Sequence, residues 1–203
     1  MKRVFGATLG LILVAGLAGA QITGSEHDFS GQQWGTNEIC QPCHTPHNAS
    51  TELPVVLWNH AVTTETYTLY SSPTMNAQTG QPDGVSRACL SCHDGTVALD
   101  SFGGATGTNF IGGGANFGTD LTNDHPVSFT YNNSLATVDG GLYQPTTTDS
   151  GLGGTIAADM LFGPGNDQVE CASCHDVHNA AGIGALLLKS NVGSALCLTC
   201  HAK

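Results

Sequence analysis

The sequence has little positive charge, few aromatic side chains and no long apolar run after its first twenty residues. Its 203 residues include 5 Lys+Arg against 16 Asp+Glu, and only 6% are aromatic. A chain so poor in cations neutralises few phosphates, which argues against a nucleic-acid-binding protein. Its 27 glycines interrupt the aliphatic residues, so a large core of side chains alone is not expected. Something other than side chains is therefore expected to fill much of the interior.

The first twenty residues have the pattern of an export signal. Two basic residues precede an apolar stretch over residues 4–17, and small residues follow at 18–20. The stretch is shorter than the roughly 20 residues that span a bilayer. We therefore interpret residues 1–20 as a signal peptide cleaved before Gln21. Loss of its two cations changes the formal charge from −11 to −13.

All eight cysteines lie in four copies of one motif, C-x-x-C-H. The cysteines are Cys40 and Cys43, Cys89 and Cys92, Cys171 and Cys174, and Cys197 and Cys200. This motif is the attachment signature of haem c: two thiols form thioethers with the vinyl groups, and the following His binds iron. Zinc sites and redox dithiols also use C-x-x-C, but neither explains a His after every pair. The sequence predicts four covalently attached haem c groups in one domain, residues 21–203.

Nine histidines are available as iron ligands. The predicted proximal ligands are the motif residues His44, His93, His175 and His201, and the other five are His27, His47, His60, His125 and His178. Four six-coordinate irons need four further ligands, and Met75 and Met160 are the thioether competitors after residue 20. Most of the five other histidines are therefore expected to bind iron.

The spacing of His47 and His178 restricts what each can bind. Each follows a motif His by three residues, so on a helical turn it lies on the same face as that His. It cannot reach the opposite face of the same porphyrin, and any iron that it binds belongs to a neighbouring haem. The alternative is that these two histidines form hydrogen bonds with haem propionates.

The remaining three histidines differ in their surroundings. His60 follows Trp58 closely, and His125 precedes Pro126, which biases its backbone away from helix. Asp124 or a nearby carbonyl is expected to fix the tautomer of His125. His27 lies near the new N-terminus. It is either a spare residue or the ligand of a haem in this or an adjacent subunit.

Glycine and the motif spacing indicate the fold class. Glycine-rich stretches around residues 101–119 and 140–154 predict irregular loops, because glycine weakens helix and strand alike. Residues 66–70 alternate in polarity, which is typical of a short strand. We expect a mostly irregular, coil-rich chain with a few short helices, mainly at the haem motifs, and little strand. Four porphyrins then act as the core, and without them the chain is not expected to fold.

These motifs resemble those of the small multihaem c-type cytochromes with doubled C-x-x-C-H motifs. Within that family the chain is most similar to the OmcE-type tetrahaem cytochromes of metal-reducing bacteria. The stretches that carry the resemblance are CQPCHTPHNAS, LWNHAVTTETYTLYSSPTM, ACLSCHDGTVALDSFGG, NDHPVSF, VECASCHDVHN and ALCLTCHAK. The resemblance implies bis-histidine ligation and polymerisation into extracellular filaments with a continuous chain of haems. It also implies His47, His60, His125 and His178 as distal ligands, with His27 as the candidate for exchange between subunits.

Three classes of function remain open at this level. The first is a non-enzymatic electron conduit, either an extracellular filament subunit or a discrete periplasmic or surface carrier. It would exchange electrons with redox proteins or extracellular acceptors. The second is a multihaem reductase, which needs one open iron position, and the surplus of histidines argues against it. The third is a structural or metal-binding surface protein without haem.

Overall fold

The computed structural model describes residues 21–203, so the predicted signal peptide lies outside the described residues. Most residues in this part of the chain are in turns, bends or coil, with short helices and two-residue strands. The predicted fold class is therefore confirmed. No helix between residues 21 and 203 combines the length and the apolar character that crossing a membrane requires.

The regular elements are short and widely spaced. The helices are α1 (Gly84–His93), α2 (Asn133–Asp139), α3 (Ile156–Met160) and α4 (Cys197–Cys200). The strands are β1 (Thr68–Leu69), β2 (Asp120–Leu121), β3 (Phe129–Thr130) and β4 (Gln168–Val169). Strand β1 pairs in parallel with β2, and β3 pairs antiparallel to β4. Single 3-10 turns occur at Gly113–Ala115, Cys171–Ser173, Gly184–Leu186 and Val192–Ser194.

Helices occur both at the haem motifs and away from them. Helices α1 and α4 carry the second and fourth motifs, as expected. Helices α2 and α3 lie between motifs and begin at capping residues: Asn132 accepts a hydrogen bond from the N–H of Leu135, and Thr155 accepts one from Ala158. Such caps satisfy backbone N–H groups that a helix N-terminus leaves free. These caps explain two helices that the motif spacing did not predict.

Within residues 21–203 the buried apolar side chains form three separate clusters. The largest has eight buried members, Phe129, Tyr131, Ala136, Ile156, Met160, Leu161, Val169 and Leu196. The second contains Leu53, Trp58 and Ala88, and the third contains Tyr67, Leu90 and Leu121. Cys174 and Cys200 pack against the largest cluster, and Cys43 packs against the second. The haem motifs therefore lie at the edges of small apolar clusters.

Candidate haem-binding sites

Each C-x-x-C-H motif forms one tight helical turn. In three of them the N–H of the motif His donates to the carbonyl of the first Cys, and the second motif ends helix α1. The distances are 2.8 Å for His44 to Cys40, 3.1 Å for His175 to Cys171 and 3.0 Å for His201 to Cys197. Residues three or four apart on such a turn share one face. The two thiols and the imidazole of a motif can therefore face one porphyrin.

Backbone carbonyls orient three of the four motif imidazoles. The acceptors lie 2.7–2.8 Å from Nδ1 and are Val56 for His44, Ala115 for His93 and Ala185 for His175. A carbonyl only accepts, so Nδ1 carries the proton and Nε2 keeps the lone pair that binds a metal. This contact is the usual second-shell support of a metal-binding His. His125 is held in the same way by the carbonyl of Pro126, at 2.8 Å, and not by Asp124.

Three motif imidazoles each face a second imidazole of the same chain. The ring centroids are 6.2 Å apart for His44 and His178, 6.0 Å for His93 and His27, and 6.4 Å for His201 and His125. The corresponding angles between ring planes are 16°, 66° and 75°. Burial, and next the neighbouring His93, lower the pKa of His27 to about 4, which keeps it in the neutral form that binds metals.

These separations fit one metal ion between each pair of rings. A bond from a first-row metal to an imidazole nitrogen is about 2.0–2.1 Å. The radius of a five-membered ring with bonds of about 1.35 Å is about 1.15 Å. Two imidazoles on opposite sides of one metal therefore have centroids about 6.4 Å apart. The three observed pairs lie within a few tenths of an ångström of that value.

Three of the cysteines also suit a thioether better than a zinc thiolate. Within residues 21–203 no three His, Cys, Asp or Glu side chains converge on a point where a metal ion would bind. Burial raises the pKa of Cys43 and Cys200 to about 11 and that of Cys92 to about 12. These sites favour an uncharged sulfur, as in a thioether, over the thiolate that zinc requires. The buried indole N–H of Trp58, beside Cys43, finds no acceptor in the described part of the chain.

Consecutive motifs lie next to one another. The hydrogen bond from Cys89 to Cys171, together with burial, raises the pKa of Cys89 and joins the second motif to the third. Cys43 packs against the cluster that contains Ala88 of α1, and Cys174 and Cys200 pack against the same apolar cluster. The four attachment sites therefore form a continuous series in the order of the sequence.

A buried polar network joins the second motif to the third. Glu170 accepts hydrogen bonds from the N–H of Ser86, at 3.2 Å, and the hydroxyl of Ser128, at 3.0 Å. The hydroxyl of Ser86 accepts from the N–H of Cys171 at 3.0 Å. Burial raises the pKa of the Glu170 carboxyl, although the bond from Ser86 opposes this shift. The network fixes the start of α1 against the turn that holds Cys171.

A second network surrounds Asp94, the residue after His93. Its carboxylate accepts from the hydroxyl of Thr63 at 2.6 Å, from Tyr67 at 2.7 Å, and from the N–H and hydroxyl of Thr96 at 2.8 Å. Asp94 is 3% exposed, and within residues 21–203 its carboxylate is satisfied by these hydrogen-bond donors and has no cation beside it. The network fixes the end of α1 and thereby the position of His93.

Some predicted ligands are not brought beside a motif imidazole. His60 is 4% exposed and has backbone carbonyls at both ring nitrogens, Ala61 at 2.8 Å from Nδ1 and Ala98 at 3.0 Å from Nε2. Its Nε2 also lies 3.6 Å from the sulfur of Cys92. His47 is exposed, and among the ring contacts of residues 21–203 neither His47 nor His175 has an imidazole partner.

The first and third motifs belong to longer structural repeats, which we define as repeat 1 (residues 40–59) and repeat 2 (residues 171–188). In each, the chain after the motif returns to pair with the motif His. Three hydrogen bonds are equivalent in the two repeats. In repeat 1 they run from His44 Nδ1 to Val56 O, from Thr45 N to Leu57 O and from Asn59 N to Cys43 O. In repeat 2 they run from His175 Nδ1 to Ala185 O, from Asp176 N to Leu186 O and from Leu188 N to Cys174 O. Two further positions have the same backbone conformation in both repeats, with positive φ angles of 53–57°. They are Asn48 in repeat 1 with Asn179 in repeat 2, and Leu57 with Leu186. The sequence revealed only the motif as a repeat, because the other contacts use backbone atoms.

Comparison with known proteins supports the assignment of these residues to haem. The model of a family described as "Doubled CXXCH motif" matches residues 163–203, which contain the third and fourth motifs. Among curated proteins, no sequence matches the chain significantly. The doubled motif binds haem c covalently. The chemistry of such a motif is electron transfer. The matched region contacts the second motif through the hydrogen bond from Cys171 to Ser86.

The chain and the haem have separate tasks in this chemistry. Haem c supplies a one-electron iron couple when bound. The cysteines would attach the porphyrin, and the carbonyls of Val56, Ala115 and Ala185 hold the imidazoles in the tautomer that would bind iron. The networks at Glu170 and Asp94 fix the spacing between sites. The sequence did not predict that the carbonyls of Val56, Ala115 and Ala185 orient the imidazoles, because every residue has a backbone carbonyl.

Proposed function

We propose that the protein is a non-enzymatic electron conduit with four covalently attached, bis-histidine haems, exported and assembled into an extracellular filament. The observation that carries the proposal is that consecutive attachment sites lie side by side in residues 40–201. Cys43 packs against the cluster that contains Ala88 of α1, the N–H of Cys171 donates to Ser86 of α1, and Cys174 and Cys200 pack against one cluster. Electrons pass rapidly only between cofactors that lie close together. Four attachment sites side by side suit conduction of electrons from one haem to the next.

The ligands and charges favour low reduction potentials. Imidazole pairs lack the thioether that raises the potential of His/Met cytochromes. After loss of the signal peptide, 3 cations remain of the original 5, against 16 carboxylates. Negative charge near a haem stabilises the more positive oxidised iron. We therefore expect low potentials, which suit the delivery of electrons to external acceptors.

The filament part of the proposal rests on the resemblance to tetrahaem filament cytochromes. The acidic surface opposes assembly, because like charges repel over about 10 Å at 0.1 M salt. Burial of haem edges at the subunit contact must offset that repulsion. Assembly should therefore increase with ionic strength.

The test is electron microscopy of native, haem-loaded protein sheared from cells, with size-exclusion chromatography across a range of salt concentrations. Ordered filaments with a regular repeat, which lengthen as salt increases, are the expected result. A uniform particle of monomer mass at every salt concentration would contradict the filament and leave a discrete periplasmic or surface carrier.

The conduit itself needs a separate test, because a reductase has one open iron. All irons should be low-spin in the oxidised protein, and cyanide should not bind. Rapid cyanide binding to one haem, with turnover of nitrite, sulfite or hydroxylamine, would show that the protein is an enzyme. Absence of a Soret band in protein matured with the haem-attachment machinery would contradict haem binding altogether.

A further inference from the structure

The proposal concerns ligand exchange between repeat 1 and repeat 2, and it rests on the haem binding proposed above. The two repeats meet through their histidines. The first His of repeat 1, His44, faces the second His of repeat 2, His178, at 6.2 Å and 16°. The Nδ1 atom of His44 is taken by Val56, and that of His178 lies 3.6 Å from Asp176. The Nε2 atoms are therefore the ones that remain for a metal.

We infer that the two repeats exchange axial ligands, so that each supplies the distal His of the other's haem. Between identical subunits related by a two-fold axis, a contact between residue i of one and j of the other implies the contact between j and i. We apply this rule to the two repeats, whose internal hydrogen bonds are equivalent. The first contact, between His44 and His178, is present in the structure. The equivalent second contact joins His175 to His47. Both of these side chains are exposed, so no packed group has to be displaced to bring them together.

The same geometry removes His60 from the ligand set. The carbonyls of Ala61 and Ala98 surround its ring nitrogens, and the side chain is buried. To bind iron through Nε2, His60 would have to give up its contact with the carbonyl of Ala98. A porphyrin beside that nitrogen would also have to displace Ala98. His60 is therefore a structural residue that ties residues 59–61 to the chain after helix α1.

The remaining two irons take their ligands from the other observed pairs. The pairs are His93 with His27 and His201 with His125. Eight histidines then serve four irons within one chain, and His60 is the ninth. In this assignment His27 binds a haem of its own subunit. No ligand from a second copy is needed.

The angles between the rings give each pair a recognisable spectrum. Each imidazole donates electron density to iron through the π orbital perpendicular to its own plane. Near-parallel planes separate the energies of the two iron orbitals involved, which gives a rhombic electron paramagnetic resonance (EPR) spectrum. Near-perpendicular planes leave the orbitals similar in energy, which gives a signal with one very large g value. We assign the rhombic type to His44/His178, at 16°, and the large-g type to the pairs at 66° and 75°.

The test compares single variants of the full, haem-loaded chain by EPR and magnetic circular dichroism. In His178→Ala we expect the rhombic signal of the His44 haem to disappear and one iron in four to become high-spin. In His47→Ala a different iron, that of the third motif, should become high-spin. His47→Met should restore a low-spin iron and raise one potential, because a thioether ligand replaces imidazole. A purely structural role for His47 would change neither the spin state nor one selected potential.

His60 supplies the matched control. His60→Gln and His60→Ala should leave all irons low-spin, whatever they do to stability. High-spin iron in folded His60 variants, or fully low-spin iron in His47→Ala, would overturn the assignment. Dilution of the wild-type protein provides the last check. A high-spin fraction that grows on dilution would show that a second copy supplies the ligand and would also overturn the exchange within one chain. Loss of haem from all variants and from wild type would instead refute the proposed function.

Discussion

Glu170 is one of the few carboxylates that the structure buries, and it precedes the first Cys of the third motif. Desolvation raises its pKa above the ordinary value of 4.5, against the hydrogen bonds from Ser86 and Ser128. A carboxyl with a raised pKa binds protons more tightly in the folded state, so its contribution to stability falls as pH rises through that interval. The stability that this position contributes should therefore be largest at acidic pH and be lost as pH rises from 4.5 through the raised pKa.

The prediction is tested with Glu170→Gln, which cannot ionise. The difference in melting temperature, wild type minus variant, should be largest at acidic pH. It should then fall as pH rises above 4.5 and become constant above the raised pKa. Thermal unfolding followed by circular dichroism across this range measures the difference. A difference that does not depend on pH would show that the pKa of Glu170 is the same in both states.

Lys189 provides a different residue-scale test, beside the fourth motif. Its ammonium donates to the carbonyl of Ser150 at 2.6 Å and to the hydroxyl of Thr199 at 3.0 Å. Lys189→Met removes a cation that favours the reduced haem, so the potential of one haem should fall. It should also lower the free energy of unfolding by about 1–3 kcal/mol, because two hydrogen bonds to a charged group are lost.

Lys203→Met is the matched control, since Lys203 is exposed and contributes, after burial and His125, to the lowered pKa of His201. It should lower the potential of the same haem without loss of stability. Potentiometric titration and thermal unfolding separate the two effects. Equal stability of both variants would show that the hydrogen bonds of Lys189 contribute nothing measurable.

At the scale of elements, the end of α1 determines how the second motif meets the glycine-rich loop. Gly95 follows the helix with φ +75°, and a Cβ atom there would lie 2.4 Å from the side-chain nitrogen of Asn116. Asn116 follows Ala115, whose carbonyl orients His93. The glycine therefore allows the loop to approach the helix closely enough to hold the imidazole.

Gly95→Ala should disturb both stability and the His93 haem. The left-handed backbone costs about 1–2 kcal/mol with a side chain, and the clash with Asn116 must displace Ala115. We expect a larger loss of stability than for Gly104→Ala, where φ is +81° and no atom lies near the added Cβ. EPR should show a changed signal for one haem in Gly95→Ala alone. Identical behaviour of both variants would indicate that only the backbone angle matters.

The elements also explain why the internal repeat was hidden from sequence analysis. Repeat 1 and repeat 2 share the motif, the second His and the Asn that follows it, but their return segments have unrelated side chains. Hydrogen bonds between backbone atoms make the two segments equivalent. Backbone contacts of this kind place few restrictions on side chains, so the repeat is visible only in three dimensions.

At the scale of the whole molecule, the clusters predict how the chain behaves without haem. Eight buried residues of the largest cluster lie between Phe129 and Leu196, whereas the two smaller clusters have three members each. A three-residue cluster cannot offset the conformational entropy of ordering long coil segments. Protein made without haem attachment should therefore lack stable structure before residue 127 and show at most weak protection in the region of the largest cluster.

Hydrogen exchange on a variant with all eight motif cysteines replaced by serine measures this directly. The haem-loaded wild type, under the same conditions, is the reference. Strong protection over residues 60–100 of the haem-free variant would contradict the view that porphyrins complete the core. It would mean that the networks around Asp94 and Thr63 are stable without the cofactor.

The sequence alone determined the chemistry, because covalent attachment requires two thiols and a His at fixed spacing, and that requirement is local. The irregular fold also followed from composition, since glycine and scarce aliphatic residues exclude a conventional core. Tertiary structure decided which distant residues meet. It placed His27 beside His93 and His178 beside His44, and it enclosed His60 between carbonyls. These relations depend on loop paths held by backbone hydrogen bonds, and backbone groups are the same at nearly every position of the sequence.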